Sequence, residues 1–363
     1  MRERLLSTLP GAAIVARAPG RVNLIGEHTD YNGFAVLPMA IDRSIWIAAA
    51  PRAGSALLVR NVDVDRYPAE TIELSQLGRR PPAGTWVDYV VAAARRMPIQ
   101  TGLELVVAGD LPAEAGLSSS SALVVATFLA LGEVADRVTL AEEARRAERY
   151  VGTLSGGMDQ AIALLGEAGQ ALRIDFRPLR AMAVEMPPEI AVVVAHSGVQ
   201  AAKSGAAREA YNARVHECQA AARQLGVADG GLLADVKPGR RAALHELEDP
   251  LLRRRAGFVF AEASRVEEAV QALRDGNLPV LGALLNASHR GLRDEYEVSH
   301  PAVDALVERA RAAGAAGARV VGAGFGGCIV AVCERRLAEE IQAALGPEAW
   351  TFRAAAGAVR RPV

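Results

Sequence analysis

Cysteine is scarce in this sequence, and its scarcity excludes two kinds of protein. The 363 residues include only Cys218, Cys328 and Cys333. An odd, small number of cysteines in so long a chain excludes a disulfide framework and is typical of a reducing compartment. Cys328 and Cys333 stand in an apolar run with no second Cys or His pair nearby, which argues against a structural zinc site.

Excess charge and long apolar runs are also lacking. Lysine plus arginine number 41 against 42 acids, so no net field attracts nucleic acid or an anionic membrane. The basic clusters at Arg240–Arg241 and Arg253–Arg255 have no interleaved aromatic residues and are interpreted as solvated charges. No run approaches the roughly 20 apolar residues of a membrane-spanning helix, and the N-terminal apolar stretch breaks at Pro10, without a signal-peptide core. We therefore predict a cytoplasmic protein with no nucleic-acid or membrane partner.

Apolar residues make up 51% of the chain, enough for well-packed interiors, and the length favours two domains. In the first half, β-branched apolar runs between Gly/Pro punctuation predict strands, and a helical pattern follows. A second helix is predicted to begin at Thr139, because Thr139–Glu142 has the form of a capping box. The predicted strands are 12–18, 41–50, 57–62, 103–108 and 172–176, and the first helix is 117–134.

The second half predicts another mixture of strands and helices. Its strands are predicted at 190–195, 319–321, 328–333 and 350–353, and its helices around 209–225, 261–273 and 301–313. This order favours an α+β fold over a doubly wound sheet. The pair Pro187-Pro188 suggests a boundary near 185, which divides the chain into domains 1–185 and 186–363.

A glycine- and serine-rich segment, Pro112–Ala122, lies between a predicted strand and a predicted helix. Successive backbone N–H groups at a helix N-terminus form an anion site, and serine hydroxyls donate to phosphate oxygens or reach Mg²⁺. The Gly-Lys-Ser/Thr ending of a Walker A loop is missing. The alternative is an ordinary serine-rich helix cap.

A second segment, Arg17–Gly33, crowds polar side chains into a glycine-punctuated turn. They are Arg21, Glu27, His28, Asp30 and Tyr31. Each hydroxyl of a sugar needs both a donor and an acceptor, which such a set supplies. The alternative is a solvated surface turn, but the flanking Val22, Leu24 and Ile25 should draw the segment inward.

A third segment, Glu148–Gln160, contains two acids separated by a glycine-rich loop. Glu148 ends one predicted helix and Asp159 begins an apolar helical run. One carboxylate could hold Mg²⁺ while the other acts as a base, as phosphoryl transfer requires. Taken alone, an aspartate in the position of Asp159 is more often a helix N-cap than a catalyst.

Together these segments resemble galactokinases and their relatives in the GHMP kinase superfamily. The stretch Gly20–Tyr31 is similar to the galactokinase signature, and Gly116–Ala122 to the superfamily's phosphate-binding motif. Val321–Cys328 resembles the third superfamily motif, and Leu292–Ser299 is also galactokinase-like. The resemblance implies an N-terminal domain like ribosomal protein S5 domain 2, a ferredoxin-like C-terminal domain, and a site between them.

The resemblance also implies a role for each candidate residue. Asp159 is implied to be the catalytic base at the sugar C1 hydroxyl, and Arg21 the group that orients it and offsets developing charge. The implied sugar ligands are Glu27, His28, Asp30 and Tyr211, and the implied Mg²⁺ ligands are Ser120 and Glu148. The implied ATP-binding residues are Gly116, Leu117, Ser118, Ser119 and Ser120, with Trp86 and Tyr89 at the adenine. For the last two, plain helix packing is the alternative.

The sequence departs from the galactokinase pattern at three places. Phe34 stands where a second glycine is usual, and Glu114 replaces a common glycine and should point away from the nucleotide. The segment from His196 through Lys203 to Asn212 is longer than in typical bacterial galactokinases and resembles plant galactokinase and N-acetylgalactosamine kinase.

We expect an enzyme that uses ATP and Mg²⁺ to phosphorylate galactose at C1, as a monomer or weak homo-oligomer. One alternative is the same chemistry on N-acetylgalactosamine or another sugar. The other is a sensor that binds sugar and ATP without turnover, since a fold does not fix a function. The intact Gly116–Ala122 and Asp159 favour the enzyme.

Overall fold

The computed structural model describes residues 1–112, 116–133, 136–200 and 206–363. Glu114 and Lys203, which the sequence singled out, lie outside these residues. The elements of the first half are α1 (Arg2–Thr8), β1 (Ile14–Ile25), β2 (Leu37–Pro51), β3 (Ala56–Asn61), β4 (Glu70–Glu73), α2 (Leu74–Leu77), α3 (Val87–Ala94), β5 (Leu103–Gly109), α4 (Ser119–Leu131), α5 (Arg137–Glu148), α6 (Met158–Leu165), β6 (Gln170–Phe176) and β7 (Leu179–Glu185).

The elements of the second half are again a mixture of strands and helices. They are β8 (Ile190–His196), α7 (Ala206–Gln224), α8 (Pro238–Arg241), α9 (Pro250–Arg274), α10 (Leu278–Asp294), α11 (Pro301–Ala312), β9 (Gly317–Val321), β10 (Cys328–Glu334), α12 (Ala338–Leu345), β11 (Ala349–Phe352) and β12 (Val359–Pro362). The predicted α+β class is confirmed. The described helices include none long and apolar enough to cross a bilayer.

Six strands form the first sheet, in the order β12-β1-β2-β5-β3-β4. Only β3 and β5 pair in parallel. The helices α3 to α6 pack in one hydrophobic core with this sheet, and α1 packs in a smaller core with other residues of β1, β2 and β5. A separate hairpin pairs β6 with β7. The predicted boundary near 185 falls between β7 and β8 and stays a prediction, while β12 returns to pair with β1.

The second sheet has the order β11-β8-β10-β9, and all its pairs are antiparallel. Successive side chains of β8 point to opposite faces, so this buried strand serves two cores. Ala191, Val193 and Ala195 pack in a core with α7, α9 and α11. Val192 and Val194 pack in a core that also contains residues of β1 and β2. This shared core joins the second sheet to the C-terminal end of β1, which lies within the Gly20–Tyr31 stretch that resembles the galactokinase signature.

Most strands with strong apolar runs were predicted within a few residues of their ends, but β1 runs to Ile25, well beyond its predicted end at Ala18, and several elements were missed. The strands β4, β7 and β12 and the helices α1, α2, α3, α8 and α10 have no counterpart among the predicted strands and helices. The predicted start of α5 at Thr139 is wrong. The helix begins at Arg137, because the Asp136 carboxylate accepts hydrogen bonds from the backbone N–H groups of Val138 and Thr139.

Candidate active site

A cavity of about 760 Å³, open mouth included, collects polar side chains from both halves of the chain. Its walls come from the turn after β1, the segment from the end of α5 into α6, the start of α7 and the loop between β9 and β10. The lining residues are Arg21, Glu27, His28, Asp30, Glu148, Thr153, Ser155, Met158, Asp159, Ala207, Arg208, Tyr211, Gly322, Ala323, Gly324 and Phe325.

Asp159 lies in the first turn of α6 and is held on both of its oxygens. Arg21 of β1 donates from Nε to Oδ1 at 2.8 Å, and the Ser118 hydroxyl bonds to Oδ2. A second guanidinium nitrogen of Arg21 donates to the Gly116 carbonyl at 2.7 Å. The aspartate, the arginine and the start of the glycine- and serine-rich segment therefore form one hydrogen-bonded unit.

Asp30 sits beside this unit, in the turn that follows β1. Its burial raises the pKa of its carboxyl to about 6, and the nearby charge of Asp159 adds to the rise. Gly156 packs directly against Asp30 and Tyr31. A Cβ at position 156 would lie 2.3 Å from the Tyr31 nitrogen, so the close approach requires glycine there.

His28 is buried and has a left-handed backbone, with φ of 64°. Its Nδ1 lies 3.0 Å from the Tyr31 hydroxyl, which lies 2.7 Å from the Tyr296 hydroxyl. Burial, with smaller effects of Arg214 and Arg319, lowers the pKa of His28 to about 3. The imidazole is therefore neutral near pH 7 and can offer a ligand a donor or an acceptor.

Glu27 connects the signature to the loop between β9 and β10. Its Oε1 accepts from the Gly322 N–H at 2.8 Å and lies 3.3 Å from the Arg319 guanidinium. Arg319 is fully buried and also donates to the carbonyls of Asn23 and Leu24 at the end of β1. This ion pair fixes the position of the Gly322–Phe325 wall of the cavity.

Tyr89 of α3 interacts with both Glu148 and Ser120. The Tyr89 hydroxyl hydrogen-bonds to the Ser120 side chain. Burial, followed by the negative charge of Glu148, raises the pKa of Tyr89 to about 12. A hydroxyl oxygen and a buried carboxylate are donors that suit Mg²⁺. The described residues include no group of three or more His, Cys, Asp or Glu side chains that could hold a metal, so substrate oxygens would have to complete the site.

Three comparisons with known proteins bear on this arrangement. Residues 7–51 match a family model described as the galactokinase galactose-binding signature. Residues 88–167 match the GHMP kinases N terminal domain, and residues 269–351 match GHMP kinases C terminal. A galactokinase from Roseiflexus sp. (strain RS-1) is 43% identical over 340 residues, which are 90% of this chain and 85% of that protein.

The chain belongs to the galactokinase family. The crystal structure of Lactococcus lactis galactokinase complexed with galactose is similar, with a TM-score of 0.89, 28% identity and 98% of both chains covered. Methanococcus jannaschii mevalonate kinase has a TM-score of 0.68 at 16% identity, covering 95% of this chain and 99% of that one, and shows the fold alone. These likenesses confirm the predicted two-domain GHMP kinase fold.

Within this galactokinase-family fold, the predicted sugar, base and metal residues do not all meet at one point. Seven of them line the cavity: Arg21, Glu27, His28, Asp30, Glu148, Asp159 and Tyr211. Ser119 and Ser120 begin α4, and the Leu117 side chain is buried in the core. Trp86 packs edge-on against Tyr67, with ring centroids 5.8 Å apart, and neither Trp86 nor Tyr89 lines the cavity. Their contact with adenine stays a prediction.

Sequence reasoning missed Arg208, Arg319 and Tyr296. Arg208 lines the cavity three residues before Tyr211, a spacing that places both on one face of α7. Arg319 had a recognisable signal, because a charged residue inside a buried apolar strand requires a partner. Tyr296 packs against His28, with ring centroids 4.8 Å apart, and bonds to the Tyr31 hydroxyl, contacts that no sequence spacing indicates.

Replacing Arg319 by methionine should destabilise the protein strongly. The change leaves the Glu27 carboxylate buried without its counter-charge, which typically costs about 3–5 kcal/mol. Denaturant unfolding followed by circular dichroism measures the loss.

Arg336→Met is the matched control for that experiment. Arg336 also pairs with a glutamate, Glu334, at 2.6 Å, but its side chain is 72% exposed. Exposed pairs contribute about 0–1 kcal/mol. Equal destabilisation by the two substitutions would show that the Arg319–Glu27 pair has no special structural role.

Proposed function

We propose that this protein transfers the terminal phosphoryl group of ATP to the C1 hydroxyl of α-D-galactose, giving galactose 1-phosphate and ADP. The observation that carries the proposal is the position of Asp159, fixed by Arg21 and Ser118 within a cavity of sugar-compatible polar groups. Membership of the galactokinase family supports ATP as the co-substrate.

In this proposal Asp159 accepts the proton of the C1 hydroxyl as the hydroxyl oxygen attacks the terminal phosphorus of ATP, and ADP leaves. Each carboxylate oxygen has two lone pairs, so the bonds from Arg21 and Ser118 leave room for a further donor. Arg21 keeps the carboxylate oriented and offsets negative charge that develops on the sugar oxygen and the phosphoryl group.

We assign sugar recognition to Glu27, His28, Asp30 and Tyr211. His28 is a neutral ring, and burial keeps the Tyr211 hydroxyl protonated by raising its pKa well above the usual value. Together these groups offer both donors and acceptors to a polyol. The galactose complex of the Lactococcus lactis relative supports this choice of sugar.

We assign the ATP phosphates to Gly116–Ser120 at the start of α4, and Mg²⁺ to Ser120 and Glu148. When bound, Mg²⁺ would neutralise charge on the phosphate oxygens. Ser120 and Glu148 are compatible with it because both offer oxygen atoms, and both interact with the Tyr89 side chain.

The cytoplasmic location and the monomeric or weakly associating state also remain proposals. They rest on the three cysteines, which are all buried free thiols, and on the balanced charge. A protein that works in an oxidising compartment usually forms disulfides from such residues.

Asp159→Asn should lower kcat by roughly 10²–10⁴-fold, because asparagine fills the same space but cannot accept the proton. Steady-state ADP release measures kcat, and ADP affinity checks that the nucleotide site is intact. Asp136→Asn is the matched control, since Asp136 only caps α5 and lies outside the cavity. If the Asp159 variant turned over at the wild-type rate, Asp159 would not be the base.

Ser120→Ala and Glu148→Gln should each raise the Mg²⁺ concentration that gives the half-maximal rate. Each substitution removes an oxygen donor or its charge, and magnesium binds through few protein ligands. A magnesium titration of the initial rate measures the shift. Thr127→Ala, in the buried middle of α4, is the control. Unshifted titrations for both variants would remove these residues from the metal site.

Galactose should exceed glucose and N-acetylgalactosamine in kcat/KM. Each buried polar group left without a partner costs about 1–3 kcal/mol, so the C4 epimer glucose should be disfavoured by roughly 10²-fold. At C2 the discrimination should be smaller, because an acetamido group is rejected mainly by its bulk. The three sugars are compared with purified enzyme and ATP. A preference for N-acetylgalactosamine would keep the reaction and overturn the substrate.

A further inference from the structure

A second cavity lies behind the Ser155–Gly157 loop, on the side away from the candidate active site. Asp30 and Ser155 line both cavities, so these two residues form part of the wall between them. The other lining residues are Tyr31, Gly33, Ala141, Glu142, Arg145, Arg149, Leu154, Gly156, Gly157, Phe176, Arg177, Leu179, Val215, Gln219 and Leu232. The proposed kinase reaction uses none of its three arginines.

Arg145 of α5 is the central cation of this second cavity. Its side chain crosses Gly157, where an added Cβ would lie 2.8 Å from the Arg145 Cδ. Burial lowers the pKa of Arg145, and the neighbouring charges of Arg149 and Arg146 lower it further. Glu142 and Asp30 oppose these effects. Like charges placed together in a half-buried site favour a bound anion.

Two other charged groups that line this cavity, Arg177 and Glu142, have ionic partners outside it. The Arg177 guanidinium bonds to both carboxylate oxygens of Asp235 at 2.7 Å. The Glu142 carboxylate lies 3.7 Å from Arg146. Within the described parts of the chain, no carboxylate forms a hydrogen bond or salt bridge with Arg145 or Arg149. Two guanidinium groups, one half-buried and one exposed, therefore share one cavity without a paired acid.

Guanidinium groups match the geometry of phosphate oxygens, which accept two parallel hydrogen bonds from each arginine. The cavity also has an apolar wall, formed by Leu154, Phe176, Leu179, Val215 and Leu232. We propose that the second cavity is a binding site for a small phosphate monoester, with its phosphate on Arg145 and Arg149 and its organic part on the apolar wall. This inference goes beyond the proposed kinase activity and does not depend on it.

Isothermal titration calorimetry with inorganic phosphate and phenyl phosphate tests the proposal. The active site is first saturated with a non-hydrolysable ATP analogue and galactose, so that its own phosphate-binding groups are occupied. We expect saturable binding to the wild-type protein and a loss of roughly 10-fold or more in affinity in the double variant Arg145→Gln/Arg149→Gln. Arg146→Gln is the matched control, because Arg146 lies on the same helix but does not line the cavity.

The site would be overturned by the absence of saturable binding of either probe, or by equal binding by the wild type and the double variant. Equal loss of affinity in the Arg146 control would also overturn it, because the effect would then be one of net charge. If the site holds, the two probes distinguish the sources of the anion. Tighter binding of phenyl phosphate supports a monoester that uses the apolar wall, whereas equal affinities identify free phosphate as the ligand and contradict the monoester.

Discussion

The buried ion pair between Arg319 and Glu27 is the interaction on which the shape of the cavity depends. Arg319 belongs to β9 of the second sheet, yet its guanidinium bonds to carbonyls at the end of β1 in the first sheet. Removing two charges from water is costly, and the cost is offset here because several hydrogen bonds act together. Through Glu27 the same pair holds the Gly322 amide. The wall from the second half of the chain is thereby placed opposite the acids from the first half.

Negative charge dominates the cavity that results. Glu27, Asp30, Glu148 and Asp159 all line it, and Arg21 and Arg208 are its only lining cations among the described residues. This crowding contributes to the raised pKa of Asp30, after the larger effect of burial. A neutral sugar can enter such a site without repulsion, whereas the phosphates of ATP need a metal ion or the helix N-terminus of α4 beside them.

The sequence predicted the strands and the polar site residues better than the long-range contacts that join them. Buried strands such as β8 and β10 are short, β-branched runs, so their composition reveals them. The strand β12 contains two arginines and a proline, and only its tertiary pairing with β1 makes it a strand. The helix α3, which is short, was also missed.

The site shows a similar contrast between local and distant information. The grouping of Arg21, Glu27, His28 and Asp30 follows from their closeness in the sequence. The bond between Arg21 and Asp159 spans 138 positions, and the resemblance, not any spacing, implied it. The start of α5 was predicted at Thr139 and not after the Asp136 cap because Thr139 and Glu142 have the sequence pattern of a capping box. Arg319 was overlooked because its partner Glu27 lies 292 positions away.

The pairing of β12 with β1 has a consequence for the order in which the protein folds. Ile14–Arg17 pair with Val359–Pro362, so this part of the outer edge of β1 lacks the β12 strand until the ribosome has released nearly the whole described chain. At about 5–20 residues per second, the nascent first sheet keeps this edge open for tens of seconds. An open strand edge is a template for association with other chains. Once β12 arrives, its Arg360, Arg361 and Pro362 form a charged outer edge that resists further strand addition.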